Sequence, residues 1–410
     1  MTAHSASLGN QPDVLIVICD DLGYRDLGCY GGKLIRTPRL DALAAEGVRF
    51  DWMYSGGATC TAARAAMLTG RVAARTGAIE PLRPGRPGGM RTDEVPLSKL
   101  LAAEGYQTAA VGKWHVGSMP DNGPRNHGFM SYFGMPYSND MPPLLMYENE
   151  VVVDTSPELG ELTRIYTERA LSIVRTADQD KPLFLYLAHT MPHQPVVASR
   201  QFEGLSNAGI YGDVVEEIDT RFGELLDAFR LHRPNRDHIV VFTADHGPWF
   251  EGAPAPSRGR KFQTWDGGFR VPFILSFPGG SPTGKIVEQP VATVDLFPTL
   301  CEWLGLDPGR YSLDGEALQA VIAGKTVDRH NPIWFFDDGQ LNAVRIGKWK
   351  CHRRRHAWKE EPFADFNLPQ LFNLEVDEGE NYDLSSRHPR KTRDLLNLMD
   401  AFQQKLGQEG

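Results

Sequence analysis

Five short apolar runs constrain this chain more than any other feature: residues 14–18, 108–111, 183–187, 239–243 and 273–277. Each is unbroken rather than alternating, and segments of helical pattern separate them, for example 40–46, 97–104 and 212–231. A strand with one face in water alternates apolar and polar residues, whereas an unbroken run fits a strand covered on both faces. The pattern therefore predicts an α/β fold, a mainly parallel sheet sandwiched by helices. Beyond about Arg329 the pattern changes to short strands at 333–336, 342–346 and 349–352, then a turn-rich stretch and a closing helix over 390–406. That reads as a small C-terminal α+β subdomain, dividing the chain into 1–329 and 330–410.

The 410 residues are 41% hydrophobic, enough to bury a large core. A formal net charge of -9 argues against a nucleic-acid partner, which calls for a basic surface to neutralise phosphates. Residues 1–11 are polar and the run at 14–18 is far too short to span a bilayer, so the expectation is a cytoplasmic protein with no membrane partner. The five cysteines, at 19, 29, 60, 301 and 351, contain no C-x-x-C pair and fit neither a disulfide framework nor a zinc ribbon.

Four of the five runs lead directly into residues that bind metals or anions: Asp20-Asp21, Lys113 with His115, His189 with His193, and Asp245-His246. Open α/β sheets bind ligands in the crevice at the carboxyl ends of their strands, so these groups are expected to converge although they lie far apart in sequence. Asp20, Asp21, Asp245 and His246 offer three carboxylates and an imidazole, a hard donor set suited to calcium, magnesium or manganese. The histidine tilts that set slightly toward a transition metal.

Residues 60–71 read Cys-Thr-Ala-Ala-Arg-Ala-Ala-Met-Leu-Thr-Gly-Arg, an Ala-rich helical stretch with Cys60 at its entrance and Gly70 as a stop. A helix entrance presents free N–H groups to an anion and favours thiolate character. Position alone leaves open whether Cys60 is reactive or a buried structural thiol.

This segment resembles the signature of the sulfatases, Cys-x-Pro/Ala-x-Arg followed by Leu-Thr-Gly-Arg, through Cys60, Ala62, Arg64 and Leu68 to Arg71. The resemblance continues through Asp20-Asp21-Leu22-Gly23, Gly112-Lys113-Trp114-His115, Thr243 to Gly247, Asp266 to Pro272 and Leu371 to Leu374, with Gly379-Glu380-Asn381 near the end. Gly134 to Asp140 and Pro182 to Tyr186 look most like the arylsulfatase A branch. The implied fold is that of the alkaline phosphatase superfamily, and the implied activity is hydrolysis of aryl or carbohydrate sulfate monoesters.

By the same resemblance, a formylglycine-generating maturation enzyme oxidises Cys60 to formylglycine. The hydrated aldehyde attacks sulfur, and its second hydroxyl later expels sulfate. Asp20, Asp21, Asp245 and His246 hold one divalent metal, expected to be calcium, on which residue 60 is seated. Lys113 and Lys261 clamp sulfate oxygens, Arg64 fixes residue 60, His193 protonates the leaving alcohol, His115 takes the diol proton, and Ser138 contacts substrate. His189 fits a core histidine. Two residues depart from the pattern: Ala63 stands where serine is usual, and His246 where many arylsulfatases have asparagine. The second departure resembles choline sulfatases and phosphonate or phosphodiester hydrolases, so hydrolysis of phosphonate monoesters or phosphodiesters is the alternative reading. Loops 81–89 and 252–259 are the candidates for substrate specificity, and residues 352–356 for an anion-binding rim.

Overall fold

Strand Asp13–Cys19 is buried along its whole length and pairs in parallel on both sides, as its unbroken apolar run requires. It sits near the middle of a ten-stranded sheet in a computed structural model that describes residues 11–278, 283–309, 312–325, 332–354 and 368–409. Its neighbours are His238–Ala244 on one side and Leu183–Ala188 on the other, with Gln107–Gly112 beyond the latter. These four central strands are all parallel. Helices Pro38–Glu46, Leu162–Thr176 and Gly209–His232 help complete the layered α/β arrangement.

The run at 273–277 departs from the parallel expectation: strand Phe273–Ser276 lies antiparallel to both His238–Ala244 and Val48–Phe50. Burial on both faces gives the same apolar run whichever way a strand points, so pattern does not encode direction here. The far edge is a hairpin of Met146–Glu148 and Val151–Asp154, whose outer strand carries three valines yet is exposed along its length.

The C-terminal region forms a separate antiparallel sheet in the order Ile333–Asp337, Gln340–Ile346, Trp349–His352, Gln370–Asn373. Helix Pro389–Glu409 packs on it, and Phe402 stacks on Trp334 at 4.0 Å between ring centroids. The division drawn at 329/330 falls outside the described residues. Ile333, Phe335 and Ala343 join Tyr54, Ala58, Ala66 and Phe269 of the large unit in one apolar cluster.

Beside this cluster lies a buried ionic network. The Lys350 ammonium donates to Asp266 Oδ1 at 2.7 Å and Glu380 Oε1 at 3.1 Å, while His352 Nε2 is 2.6 Å from Glu380 Oε2. Arg345 reaches Tyr54, which in turn donates to Asp266. The small sheet is thus fixed to the segment 261–270, which carries part of the site described below. Among the described residues, no helix is long and apolar enough to cross a membrane.

Replacing Lys350 by Met leaves Asp266 and Glu380 buried with less positive charge between them, a change expected to cost about 3–5 kcal/mol. Urea denaturation of the variant against the unaltered protein measures that loss.

Candidate active site

The four central strands end at one level. Cys19 lies opposite Ala244, Ile18 opposite Ala188, and Ala188 opposite Gly112. The residues that follow therefore leave the sheet side by side: Asp20-Asp21, Asp245-His246, His189 and Lys113. Sharp backbone turns aim them. Asp21 has φ 65° and His115 φ 53°, both in the left-handed region that non-glycine residues seldom occupy. Gly112 (φ 99°) precedes Lys113, and a Cβ there would stand 1.9 Å from the Ala188 carbonyl oxygen. Gly247 after His246 is equally confined, 1.8 Å from the Gly267 oxygen. Glycine is what allows these chains to pass so close.

Opposite the strand ends enters helix Cys60–Thr69, preceded by extended Thr59 and closed by left-handed Gly70, whose N–H donates to the Ala66 carbonyl at 2.9 Å. Every residue of this helix is buried. Its run of alanines is what permits so close an approach, and it delivers Cys60 to the donor cluster.

Those donors converge on one point. His246 Nε2 lies 3.9 Å from Asp20 Oδ1, 3.5 Å from Asp21 Oδ1, 3.6 Å from Asp245 Oδ1 and 3.3 Å from Cys60 Sγ. Cys60 Sγ is 3.4 Å from Asp20 Oδ1. Potential ligand atoms of Asp20, Cys60, Asp245 and His246 all lie within 4.8 Å of one another. The 2.9 Å contact of His246 Nδ1 with the Gly247 carbonyl, an acceptor, places a ring proton on Nδ1 and turns Nε2 toward the carboxylates. Two carboxylates, a thiol sulfur and an imidazole nitrogen gathered there, with Asp21 Oδ1 3.5 Å from that nitrogen, fit a divalent cation that takes the place of the Nε2 proton.

Cations flank the cluster. Lys113 donates to Asp20 and, at 2.8 Å, to Ser138 Oγ. Lys261 donates to both oxygens of Asp21 at 2.8 and 3.0 Å. Arg64 is wholly buried, with Nε donating to Asp245 Oδ2 at 3.0 Å and Nη1 to the Lys113 carbonyl at 2.9 Å. His193 Nε2 sits 3.3 Å from Ser138 Oγ and 3.8 Å from Asp21 Oδ2, and Nδ1 rests on the Gln194 carbonyl at 2.6 Å.

Residues 12–306 match the sequence model of the Sulfatase family. The chain belongs to the sulfatase family. The N-acetylgalactosamine-6-sulfatase of Canis lupus familiaris is 34% identical to it, over 93% of this chain and 83% of that protein. Arylsulfatase A of Homo sapiens is 31% identical, over 98% of this chain and 89% of its own length. A crystal structure of Ps i-CgsB in complex with k-i-k-neocarrahexaose aligns with a TM-score of 0.85 at 27% identity, covering 96% of this chain and 93% of that one. This sulfatase is therefore a sulfuric ester hydrolase, and its family works with a divalent metal and formylglycine.

Electrostatics in the sulfatase pocket set Cys60 apart. Burial and Asp20 push its thiol up, but Lys113, Lys261 and His246 outweigh them and bring it to about 6. The other four thiols are all pushed up by burial, Cys29, Cys301 and Cys351 to about 12. Burial also opposes ionisation of Asp20, yet Lys113, His193, Lys261 and Arg64 hold its carboxyl well below the usual range. Asp245 goes the other way, raised to about 6 by burial and by Asp20. Burial disfavours charge on His246, but Asp245 and Cys60 more than compensate and raise it to about 9.

His115 stands apart from the donor cluster. Its Nε2 lies 2.9 Å from the Leu82 carbonyl, which fixes the proton there and leaves Nδ1 without a hydrogen-bond partner. Burial and Lys113 hold its pKa well below the ordinary histidine value. Its backbone carbonyl accepts from Thr61 Oγ1 at 2.6 Å, so the histidine is joined to the helix residue next to Cys60. His189 is fully buried, neither ring nitrogen has a partner, and burial lowers it to about 4, as suits a neutral core histidine.

Thr61, Leu82 and Asn139, which donates to the His193 carbonyl at 3.3 Å, are contributors that sequence reasoning missed. Thr61 lies inside the helix signature and was available there; a backbone carbonyl such as that of Leu82 leaves no mark in side-chain identity. The anion-rim reading of residues 352–356 fails for His352 and Arg353, which are spent on acidic partners. His352 is buried against Glu380, Arg353 pairs with Asp400 at 2.7 Å, and Arg354 donates to Gln340. These partners all belong to the C-terminal region, and Arg355 and His356 lie outside the described residues.

Dialysis against a chelator is expected to abolish turnover. It should also lower stability by about 3 kcal/mol relative to enzyme in free metal at a hundredfold excess over Kd. The fall in Tm, reversed by adding back calcium, measures this.

Proposed function

We propose that this sulfatase removes sulfate from a sulfated carbohydrate, using residue 60 after a maturation enzyme has oxidised Cys60 to formylglycine. The observation that carries the reading is the meeting of one oxidisable, low-pKa thiol with Asp20, Asp245 and His246 and with three buried cations. The sugar as the alcohol half rests on the relatives, several of which are named N-acetylgalactosamine-6-sulfatase.

A sulfate monoester repels nucleophiles because its oxygens are anionic, so positive charge must be in place before attack. Lys113, Lys261 and Arg64 supply it, and burial makes each charge count for more than it would in water. Asp20, Asp21, Asp245 and His246 would hold the metal. Three carboxylates favour calcium over magnesium, which keeps more of its water and demands stricter geometry. When bound, the metal supplies further charge against the sulfate oxygens and eases ionisation of a hydroxyl at residue 60. Formylglycine supplies, as its hydrate, two hydroxyls on one carbon where cysteine offers a single sulfur.

The remaining steps belong to ordinary side chains. His193, acting as an imidazolium, donates its Nε2 proton to the departing sugar oxygen and keeps its Nδ1 proton on the Gln194 carbonyl, which holds the ring aimed. Ser138, between Lys113 and His193, orients both toward the ester. His115, with its Nε2 proton tied to Leu82, keeps the Nδ1 lone pair available to take a proton as sulfate departs.

His246, in place of the asparagine of many arylsulfatases, favours a second reading as a phosphonate monoester or phosphodiester hydrolase. Matched esters separate the two. The proposal predicts kcat/KM for N-acetylgalactosamine 6-sulfate at least about a hundredfold above that for a phosphodiester or phosphonate monoester of the same sugar. Faster cleavage of the phosphorus esters would overturn it.

A further inference from the structure

The segment 249–251 touches the surroundings of three site residues at once. It begins three positions after His246. Trp249 packs edge-on against Phe262 at 5.9 Å between ring centroids, and Phe262 follows Lys261 in the chain. Glu251 accepts a hydrogen bond from Gln194, the residue after His193. These links put the segment on the outer rim of the pocket, beside the residues proposed to hold sulfate and protonate the leaving group.

What stands on that rim is an aromatic plate. Phe250 is 67% exposed, unusual for so large an apolar side chain, and meets Trp249 at 4.7 Å and 81°. The Arg260 guanidinium lies 5.1 Å from the Phe250 ring centroid. Arg260 is itself tied down by the carbonyls of Trp249, at 2.6 Å, and Gly252, at 3.0 Å. The plate is therefore braced from behind and keeps a face open to solvent. Next in the chain, exposed Glu251 accepts from exposed Gln194, so a carboxylate and an amide stand near the plate. Past Glu251 opens a cavity of about 450 Å³ whose walls carry both signs of charge, Arg25, Lys33 and Arg260 with Asp26 and Glu251.

We infer that Phe250, backed by Trp249 and edged by Gln194 and Glu251, is the subsite that grips the sugar ring carrying the scissile sulfate. A pyranose has a flat C–H face and a rim of hydroxyls, which match an aromatic plate and planar polar groups at its edge. The polar cavity beyond has room for a further saccharide unit and has no counterpart in the needs of a simple aryl sulfate. This inference rests on the proposed carbohydrate substrate and adds to it the residues that choose the alcohol half.

Kinetics of Phe250→Ala with N-acetylgalactosamine 6-sulfate as substrate and inorganic sulfate as competitive inhibitor test it. The subsite predicts a KM raised at least about fivefold with the Ki for sulfate unchanged, and recovery in Phe250→Trp. An unaltered KM overturns it. A joint rise in KM and in the Ki for sulfate also overturns it, because the ring would then be supporting Lys261 rather than holding sugar. If the unaltered enzyme cleaves 4-nitrophenyl sulfate but no sugar sulfate, the carbohydrate reading itself falls and the subsite falls with it.

Discussion

Everything in this structure answers to one electrostatic requirement: Asp20, Asp21 and Asp245 are brought together out of water. Three carboxylates at such range repel one another, and desolvation adds a cost of several kcal/mol per ion. Lys113 on Asp20, Lys261 on Asp21 and Arg64 on Asp245 offset that cost one for one. The same three cations are the ones proposed to meet an anionic substrate. On the proposed reading, balancing the acids and binding sulfate are one arrangement, and Arg64 serves both while wholly buried.

The parallel sheet is what makes such a cluster possible. Neighbouring strands in register deliver their next residues to one edge, so groups more than 200 positions apart, such as Asp20 and Asp245, meet without any local sequence link. Gly112 and Gly247 clear the space, and the alanines of helix Cys60–Thr69 let it come close enough to set Cys60 among the acids. The C-terminal sheet contributes from below. Through Asp266, Lys350 and Glu380 it fixes the segment that carries Lys261.

How much of this was legible in the sequence follows from the same physics. The central strands and their polar ends could be read because burial on both faces forces unbroken apolar runs and function forces charged residues directly after them. The helix signature could be read because Cys60, Arg64 and Gly70 each have a fixed task. Strand Phe273–Ser276 kept its apolar run but not its direction, and the hairpin at 146–154 was missed because its strands are only three and four residues long. The basic stretch after His352 looked like an anion site, yet His352 and Arg353 find acidic partners that only the fold brings near. Contacts made by backbone, such as that of Leu82 with His115, have no side-chain signature to read.

The central claim is that residue 60 acts as an oxidised cysteine, and the most direct measurement is mass spectrometry of the peptide that contains it, taken from fully active enzyme. The account predicts the mass of the aldehyde or its hydrate at residue 60, in proportion to specific activity. An unmodified thiol at residue 60 in fully active enzyme would contradict it.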